Sequence, residues 1–281
     1  MRSITTALLL FIAIVSPACH SHPDPVTFPN PFGDDGSKVP SCEFGGRRVY
    51  IVGDKKGPPI LLLHELPGMT PQCYYLAEQL ASRGYTVYMP LMFGKAGVAS
   101  AKKNGFWLLF KRDFHSVADE TAPIVKSLRE LRDEIHKHHP KQNMAVIGMC
   151  LTGNLAPAFL DVPYVQAAVM SQPALPTIGP HKDERMALSQ RDIAIAQGSH
   201  VPILAFRFVT DTLSPEPRRQ KFICTFKDQI TFRALCIERP AHAVLTTELF
   251  DAPNHPKTTG PSADAFKELI DYLGRQLAPK M

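Results

Sequence analysis

Val146-Ile147-Gly148-Met149-Cys150-Leu151-Thr152-Gly153-Asn154 joins an apolar run to a helix-forming run with no spacer between them. The run that leads in, 143–149 (NMAVIGM), is apolar without alternation, as expected of a strand buried on both faces. The run that leads out, 151–159, is made mostly of small residues and reads as a helix. Between them, small-x-Cys-x-small is the pattern of a nucleophile elbow, a tight turn that lifts one side chain above a sheet. Gly148 and Thr152 would be small because larger side chains collide where strand and helix pack closely. Cys150 would then sit at a helix N-terminus, where unpaired N–H groups and the dipole stabilise an anion. A cysteine in that setting gains thiolate character. The pattern alone also suits a cysteine used for packing, since cysteine is among the most buried residue types. No Gly-x-Ser-x-Gly occurs anywhere in the chain, which excludes a serine elbow.

Outward from this stretch the chain alternates apolar strands with helical patterns. Strands are expected over 48–52, 59–66, 85–89, 143–149, 165–170, 201–209 and 230–237. Helices are expected over 71–82, with Gly84 as the stop, over 117–139, and over 263–277 (ADAFKELIDYLGRQL). In the second of these, Ile124, Leu128, Leu131 and Ile135 follow helical spacing, and Pro123 must sit in the first turn or kink the helix. A polar insertion, 179–198, has helical propensity in its second half and would lie over the site. This order implies an α/β fold with one mainly parallel central sheet and helices on both faces.

The two groups that would serve a nucleophile follow in chain order. Asp211 comes just after the strand over 201–209, and His242 just after the last strand, in Arg239-Pro240-Ala241-His242-Ala243. Both fall where loops collect at the C-terminal edge of such a sheet. His242 would take the thiol proton and return it to the leaving group, and Asp211 would hold the imidazole in the right tautomer. Singly, Asp211 could be a turn or cap residue and His242 an ordinary loop histidine; the order nucleophile, acid, histidine is what carries the reading. Asp161 is a fallback acid, but it follows the wrong element.

With these residues in view the sequence resembles the dienelactone hydrolase family, the carboxymethylenebutenolidase-like α/β-hydrolases, from about residue 58 to the C-terminus. Leu63-His64-Glu65-Leu66-Pro67-Gly68 is similar to the family's His-Glu-x-x-Gly segment. Gly148 to Gly153 is similar to its Gly-x-Cys-x-Gly-Gly elbow, with Thr152 replacing a glycine. Asp211 and His242 match its acid and its histidine. Residues 85–95 (YTVYMPLMFGK) resemble the segment bearing a substrate-carboxylate arginine, with Lys95 near that position. The resemblance implies an α/β-hydrolase fold and cleavage of a small ester or lactone through a Cys-His-Asp triad and an acyl-enzyme. It further implies that Glu65 contacts the resting thiol until substrate frees the thiolate. The backbone N–H groups of Leu66 and Leu151 would form the oxyanion hole, and no metal or organic cofactor is implied. From the residues alone, Glu65 also reads as a strand-end carboxylate in solvent, although an acid following three leucines fits that poorly. Several positions depart from the family pattern. Pro90-Leu91 stands for the usual Pro-Asp, Ala241 for a glycine, no arginine follows His242 within 243–247, and Lys95 offers a point charge rather than a bidentate fork. These changes bear on the substrate rather than on the catalytic set.

The ends and the composition set the context. Met1-Arg2, the apolar run 7–15 (ALLLFIAIV) and Ser16-Pro17-Ala18 have the pattern of an export signal over 1–18 rather than of a buried N-terminal helix or strand, and the run is too short to span a bilayer. Export to the periplasm or medium is therefore expected, and a lipid anchor on Cys19 stays open. Residues 19–43 read as a Pro/Gly-rich linker, leaving 44–281 as one domain, and His20 and His22 as bystanders in it. The net charge of +5 is scattered, with no stripe of basic and aromatic residues, so no nucleic-acid partner is expected. His136, His138 and His139 suit the negative end of a helix dipole better than a metal. Cys42, Cys73, Cys224 and Cys236 allow three disulfide connectivities or free thiols, and without a CxxC a redox role for Cys150 is remote. A binding protein of the same fold without catalysis is the competing function; a disulfide at Cys150, or a His242 turned away, would favour it.

Overall fold

The structure, a computed structural model, describes residues 28–100, 120–175 and 182–278. The expected export signal (1–18), Cys19, His20, His22, the start of the expected helix over 117–139 and residues 179–181 of the insertion lie outside the described residues. Strands β1 (Ser41–Phe44), β2 (Arg47–Val52), β3 (Pro59–Leu63), β4 (Thr86–Pro90), β5 (Met144–Met149), β6 (Val165–Ser171), β7 (Ile203–Phe208) and β8 (Ile230–Leu235) form one sheet. Their spatial order is β1-β2-β4-β3-β5-β6-β7-β8. β1, β2 and β4 pair antiparallel in turn, and every pairing from β4 across to β8 is parallel.

Successive side chains of a strand point to opposite faces, so each buried run feeds two cores. Leu61, Leu63, Val146, Met170 and Ala205 face α2 (Pro123–His138), a 3₁₀ helix (Cys150–Phe159), α3 (Gln190–Ser199) and α4 (Glu216–Phe226). Ile60, Leu62, Ile147, Val169 and Phe206 face α1 (Pro71–Ala81) and α5 (Pro261–Leu277). The expected α/β architecture, a mainly parallel sheet with helices on both faces, is what the chain adopts.

Local differences have identifiable causes. β3 stops at Leu63 rather than Leu66, because the buried His64 ring accepts a hydrogen bond from the Met92 amide (3.0 Å) and the Gly68 amide turns back onto the Glu65 carbonyl (2.8 Å). Pro123 opens α2 at its first position, where a missing N–H costs nothing. The segment 150–159 is wound as a 3₁₀ helix rather than the expected α-helix; Pro157 inside it has no N–H for an α-type bond to Gly153. The second half of the insertion forms α3, whose Asp192 carboxylate accepts from Arg129 Nη2 (2.9 Å) and Thr121 Oγ1 (2.9 Å). Arg129 also donates to the Ala158 carbonyl, so α3 is moored at the far end of the 3₁₀ helix. His139 is buried between Tyr88 Oη (2.8 Å) and Gln142 Oε1 (2.7 Å), and His136 stacks on Tyr164. Cys42, Cys73, Cys150, Cys224 and Cys236 are all free; of these, only Cys73 and Cys150 are buried.

The described part of the Pro/Gly-rich lead-in, from residue 28, lacks regular structure as far as Pro40, yet it is packed. Phe32 is fully buried against Tyr50 and Tyr74, at ring-centroid distances of 4.7 and 5.4 Å, and residues 41–43 already belong to edge strand β1. Such a contact is invisible to periodicity because one aromatic anchors an irregular segment. Phe32→Ala should therefore cost about 3–5 kcal/mol of folding stability, the range for emptying a buried aromatic site, measured by urea denaturation. An unchanged midpoint would mean that the lead-in does not contribute to the core.

Candidate active site

Register places the strand ends side by side. Leu63 is level with Gly148, Met149 with Ser171, Ser171 with Phe206, and Phe208 with Leu235. Glu65, Cys150, Gln172, Asp211 and His242 all lie in the segments that leave this one edge of the sheet.

Cys150 is buried and has φ +54°, the left-handed region that non-glycine residues seldom adopt. The turn that forces it is held by close backbone approach. A Cβ on Gly148 would stand 2.2 Å from the Thr152 carbonyl oxygen, and one on Gly153 would stand 2.8 Å from the Ser171 carbonyl oxygen. The tight positions are thus Gly148 and Gly153, whereas Thr152 has room for a side chain and uses it. Its Oγ1 accepts from the Met149 amide at 3.0 Å and lies 2.9 Å from the Leu63 carbonyl, to which it can donate. This hydroxyl ties the end of β3 to the turn after β5, the two loops that carry the Leu66 and Leu151 amides. Cys150 shares a small apolar cluster with Ala174 and Leu213.

Asp211 Oδ2 accepts from His242 Nδ1 at 2.7 Å, and Asp211 Oδ1 accepts from the amides of Leu213 (2.9 Å) and Ser214 (3.2 Å). His242 Nε2 is buried and makes no hydrogen bond, while the Cys150 side chain lies close enough to influence the ring's charge. Burial opposes charging of His242, yet the Asp211 carboxylate and then Cys150 outweigh it and hold the imidazole well above its ordinary range. The acid's loop is wrapped around Arg207, which is buried at the end of β7. Its guanidinium donates to the carbonyls of Ser214 (2.6 Å), Val209 (3.3 Å) and Asp211 (3.3 Å) and pairs with Glu216 (2.8 Å). Thr210 Oγ1 donates to the Arg239 carbonyl (2.9 Å), joining the acid's loop to the histidine's. Arg218, also buried, donates to the carbonyls of Leu213 (2.9 Å) and Arg185 (2.8 Å), linking the insertion to the rim of the site. Burial lowers it to about 10 against the opposing pull of Asp183, Asp211 and Cys150.

The structure brings Cys150, Asp211 and His242 together. Asp161 instead pairs with Arg129 (3.1 Å) and Arg132 beside the far end of the 3₁₀ helix. Glu65 is buried, and its carboxylate accepts from Thr246 Oγ1 and from Gln172 Nε2 (3.0 Å). Its hydrogen bonds go to these two side chains rather than to Cys150. Burial raises its pKa despite the Thr246 hydroxyl, His242 and Gln172. His64 is neutral, pushed down to about 4 by burial, with Nδ1 donating to the Glu65 carbonyl (3.1 Å). Lys95 is exposed in the turn after β4; that stretch lies along the Leu66 loop through Gly97 N to Met69 O (2.7 Å) and Ser100 N to Pro67 O (3.1 Å). Among the described residues, no group of three His, Cys, Asp or Glu side chains could hold a metal ion, and no helix is long and apolar enough to cross a membrane. Sequence reasoning passed over Gln172, Arg207, Arg218 and Thr246. Gln172 did carry a signal, as a polar residue placed directly after an apolar strand at the same edge as Cys150.

The sheet order together with the turn at Cys150 defines an α/β-hydrolase. The sequence matches the model of the dienelactone hydrolase family over residues 48–275, and the chain belongs to that family, whose class is carboxylic ester and lactone hydrolysis. Among solved structures it is similar to a candidate dienelactone hydrolase from Klebsiella pneumoniae, at 16% identity and TM-score 0.58, over 82% of this chain and 93% of that one. It is also similar to a cold-adapted esterase from an Arctic intertidal metagenomic library, at 15% identity and TM-score 0.53, over 84% of this chain and 92% of that one. At those identities the likeness is one of fold. No curated protein matches the sequence.

Asp211→Asn removes the charge that most favours the His242 imidazolium and leaves burial less opposed. The pKa of His242 should fall by about 1–3 pH units, read from ¹⁵N imidazole chemical shifts with His242→Gln as the assignment control. A ring held above its ordinary pKa stabilises the fold fully at pH below about 6.5 and loses that contribution as pH rises through the folded value. The asparagine variant should therefore lose stability at acidic pH and lose least at alkaline pH.

Proposed function

We propose that the chain cleaves a small carboxylic ester or lactone, with Cys150 as nucleophile, His242 as general base and then acid, and Asp211 as the group that orients the ring. The observation that carries this reading is the 2.7 Å bond from His242 Nδ1 to Asp211, which fixes the tautomer and leaves Nε2 unbonded on the side of Cys150. A free Cys150 and a ring turned toward its acid also favour an enzyme over a binding protein of the same fold.

The proton shared by Cys150 and His242 rests on Nε2, the state that the raised imidazole pKa favours, as Sγ attacks the substrate's carbonyl carbon. The carbonyl π electrons move onto oxygen, where the Leu66 and Leu151 amides serve as donors to the developing oxyanion. Collapse of the tetrahedral adduct breaks the bond to the leaving oxygen, which takes the proton from His242, and an S-acyl enzyme remains. Water then gives its proton to His242 and its oxygen to the acyl carbon; Sγ leaves and recovers the proton, and the acid is released. A lactone follows the same steps with its leaving hydroxyl tethered. Ala174 and Leu213 beside the sulfur suit a small apolar acyl group, and Lys95 is available to an outlying carboxylate.

A short-chain aryl ester should be turned over by the parent protein, with kcat/KM falling at least about 10⁴-fold in Cys150→Ala and His242→Ala, since members of such a set act as a unit. An S-acyl adduct on Cys150 should be trapped by mass spectrometry in acid-quenched turnover. Equal rates in parent and variants would sink the thiol mechanism.

We also propose that the protein works outside the cytoplasm, on the strength of the export signal read at 1–18. Expressed from its full sequence in a bacterium, it should be recovered outside the cytoplasm beginning at Cys19; an unprocessed cytoplasmic chain would refute this.

A further inference from the structure

The segment that carries His242 runs from the end of β8 to β9 (Phe250–Ala252) and has no regular structure of its own. At its entrance Arg239 forms a two-pronged ion pair with Glu248. Its interior is held by a buried polar chain. The Val244 amide donates to Gln172 Oε1 (3.2 Å), and Ser171 Oγ donates to the same oxygen. Gln172 Nε2 donates to Glu65 Oε2 (3.0 Å), and Thr246 Oγ1 donates to Glu65 Oε1. Val244 and Thr246 stand two and four residues after His242, so the segment is gripped at two points. Gln172 is fully buried and holds φ +35°, a conformation that a long side chain keeps only when its surroundings fix it. Its own amide is tied to the Phe206 carbonyl at 2.7 Å.

The direction of donation constrains the chemistry. Gln172 spends its acceptor on Val244 and must present its amide nitrogen to residue 65, which therefore has to accept. A glutamine at 65 could do this through its carbonyl oxygen and give its own amide to the Thr246 hydroxyl. An alanine could do neither.

We propose that Glu65 and Gln172 form a carboxylate–amide clamp that positions His242 against Cys150, and that Glu65 acts through this clamp rather than by masking the resting thiol. The proposal rests on the thiol-hydrolase reading and deepens it. With one Glu65 oxygen engaged by Thr246 of the histidine segment and the other by Gln172, Cys150 stands ready before substrate arrives. Glu65 and Gln172 are positioning residues, since neither needs to touch the substrate.

Two readouts on Glu65→Ala, Glu65→Gln, Gln172→Leu and Thr246→Val test this, each on protein whose thermal midpoint shows it folded. The first is turnover of a short-chain aryl ester as a function of pH. Glu65→Gln should stay within about tenfold of the parent, the worth of one neutral hydrogen bond. Glu65→Ala and Gln172→Leu should lose about 10²-fold in kcat, as for a small misplacement of a reacting group. The second is alkylation of Cys150 by iodoacetamide in substrate-free protein, which reads the clamp without any turnover. It should slow in Glu65→Ala, with its pH profile moved to higher pH because His242 no longer sits beside the sulfur, and Glu65→Gln should restore it. Faster alkylation in Glu65→Ala, or a Glu65→Gln variant as impaired as Glu65→Ala, would overturn the proposal in favour of a carboxylate that masks the thiol. Should the alanine and leucine variants fail to fold, Thr246→Val against Glu65→Gln decides: the clamp requires slower alkylation in the first and near-parental alkylation in the second. Failure of the hydrolase reading is distinct, since it shows as turnover that survives Cys150→Ala.

Discussion

Everything at the candidate site depends on one backbone constraint, the reversal between β5 and the 3₁₀ helix within the single residue Cys150. Its φ of +54° is unfavourable for a residue with a Cβ, and it persists because both sides of the turn are fixed. Below it, Gly148 lets the Thr152 carbonyl approach to where a Cβ would clash; beside it, Gly153 does the same for the carbonyl of Ser171 on β6. The tighter 3₁₀ winding that follows keeps the chain narrow above the sheet. The sulfur is thereby set over the middle of the parallel strands, at the edge from which the other site loops leave. A relaxed turn would lower Cys150 into the core, where it would be one more buried cysteine.

Charge is managed by the same edge. A carboxylate and an imidazolium are both costly away from water unless each finds partners. Asp211 has two backbone amides on one oxygen and His242 on the other, so it is fully engaged without solvent. Its loop is built around the Arg207 guanidinium, which satisfies three carbonyls that the tight turn leaves unpaired. The cation therefore serves backbone geometry first, and its attraction for Asp211 comes second. Glu65 follows the other rule: burial raises its pKa, and it is kept by neutral donors and by nearby His242.

Much of this was legible in the sequence, for reasons that are physical. A strand buried on both faces must be apolar throughout, so β3 and β5 announce themselves. A reversal without a spacer must have small residues around it, so the elbow could be read from Gly148 and Thr152 on either side of Cys150. Asp211 and His242 lie in the segments that follow strands, and a parallel sheet brings all such segments to one edge. Other features leave no periodic trace. Phe32 anchors the irregular lead-in by one aromatic contact, edge strand β1 is exposed on most of its length, and the 3₁₀ winding is set by Pro157. Gln172, Thr246 and Arg207 act through hydrogen bonds to segments distant in sequence or to backbone carbonyls, and residue type alone does not reveal such partners. Thr152 illustrates the limit most clearly. Its smallness reads as a steric demand, whereas in the fold its hydroxyl is the part in use.

That hydroxyl also bears on how this chain differs from the family pattern it belongs to. A glycine at this position, as in the elbow motif, would offer no hydroxyl to join the two loops that carry the Leu66 and Leu151 amides. Here Thr152 Oγ1 bridges the Met149 amide and the Leu63 carbonyl, so the spacing of those loops is set by hydrogen bonds within a buried, low-dielectric region where such bonds are strong. Donors that act on developing charge are most effective when they need not reorganise as the charge appears. The exchange of glycine for threonine thus gives up backbone freedom at a position that does not need it, and gains a rigid relation between the two loops where the proposed chemistry needs one.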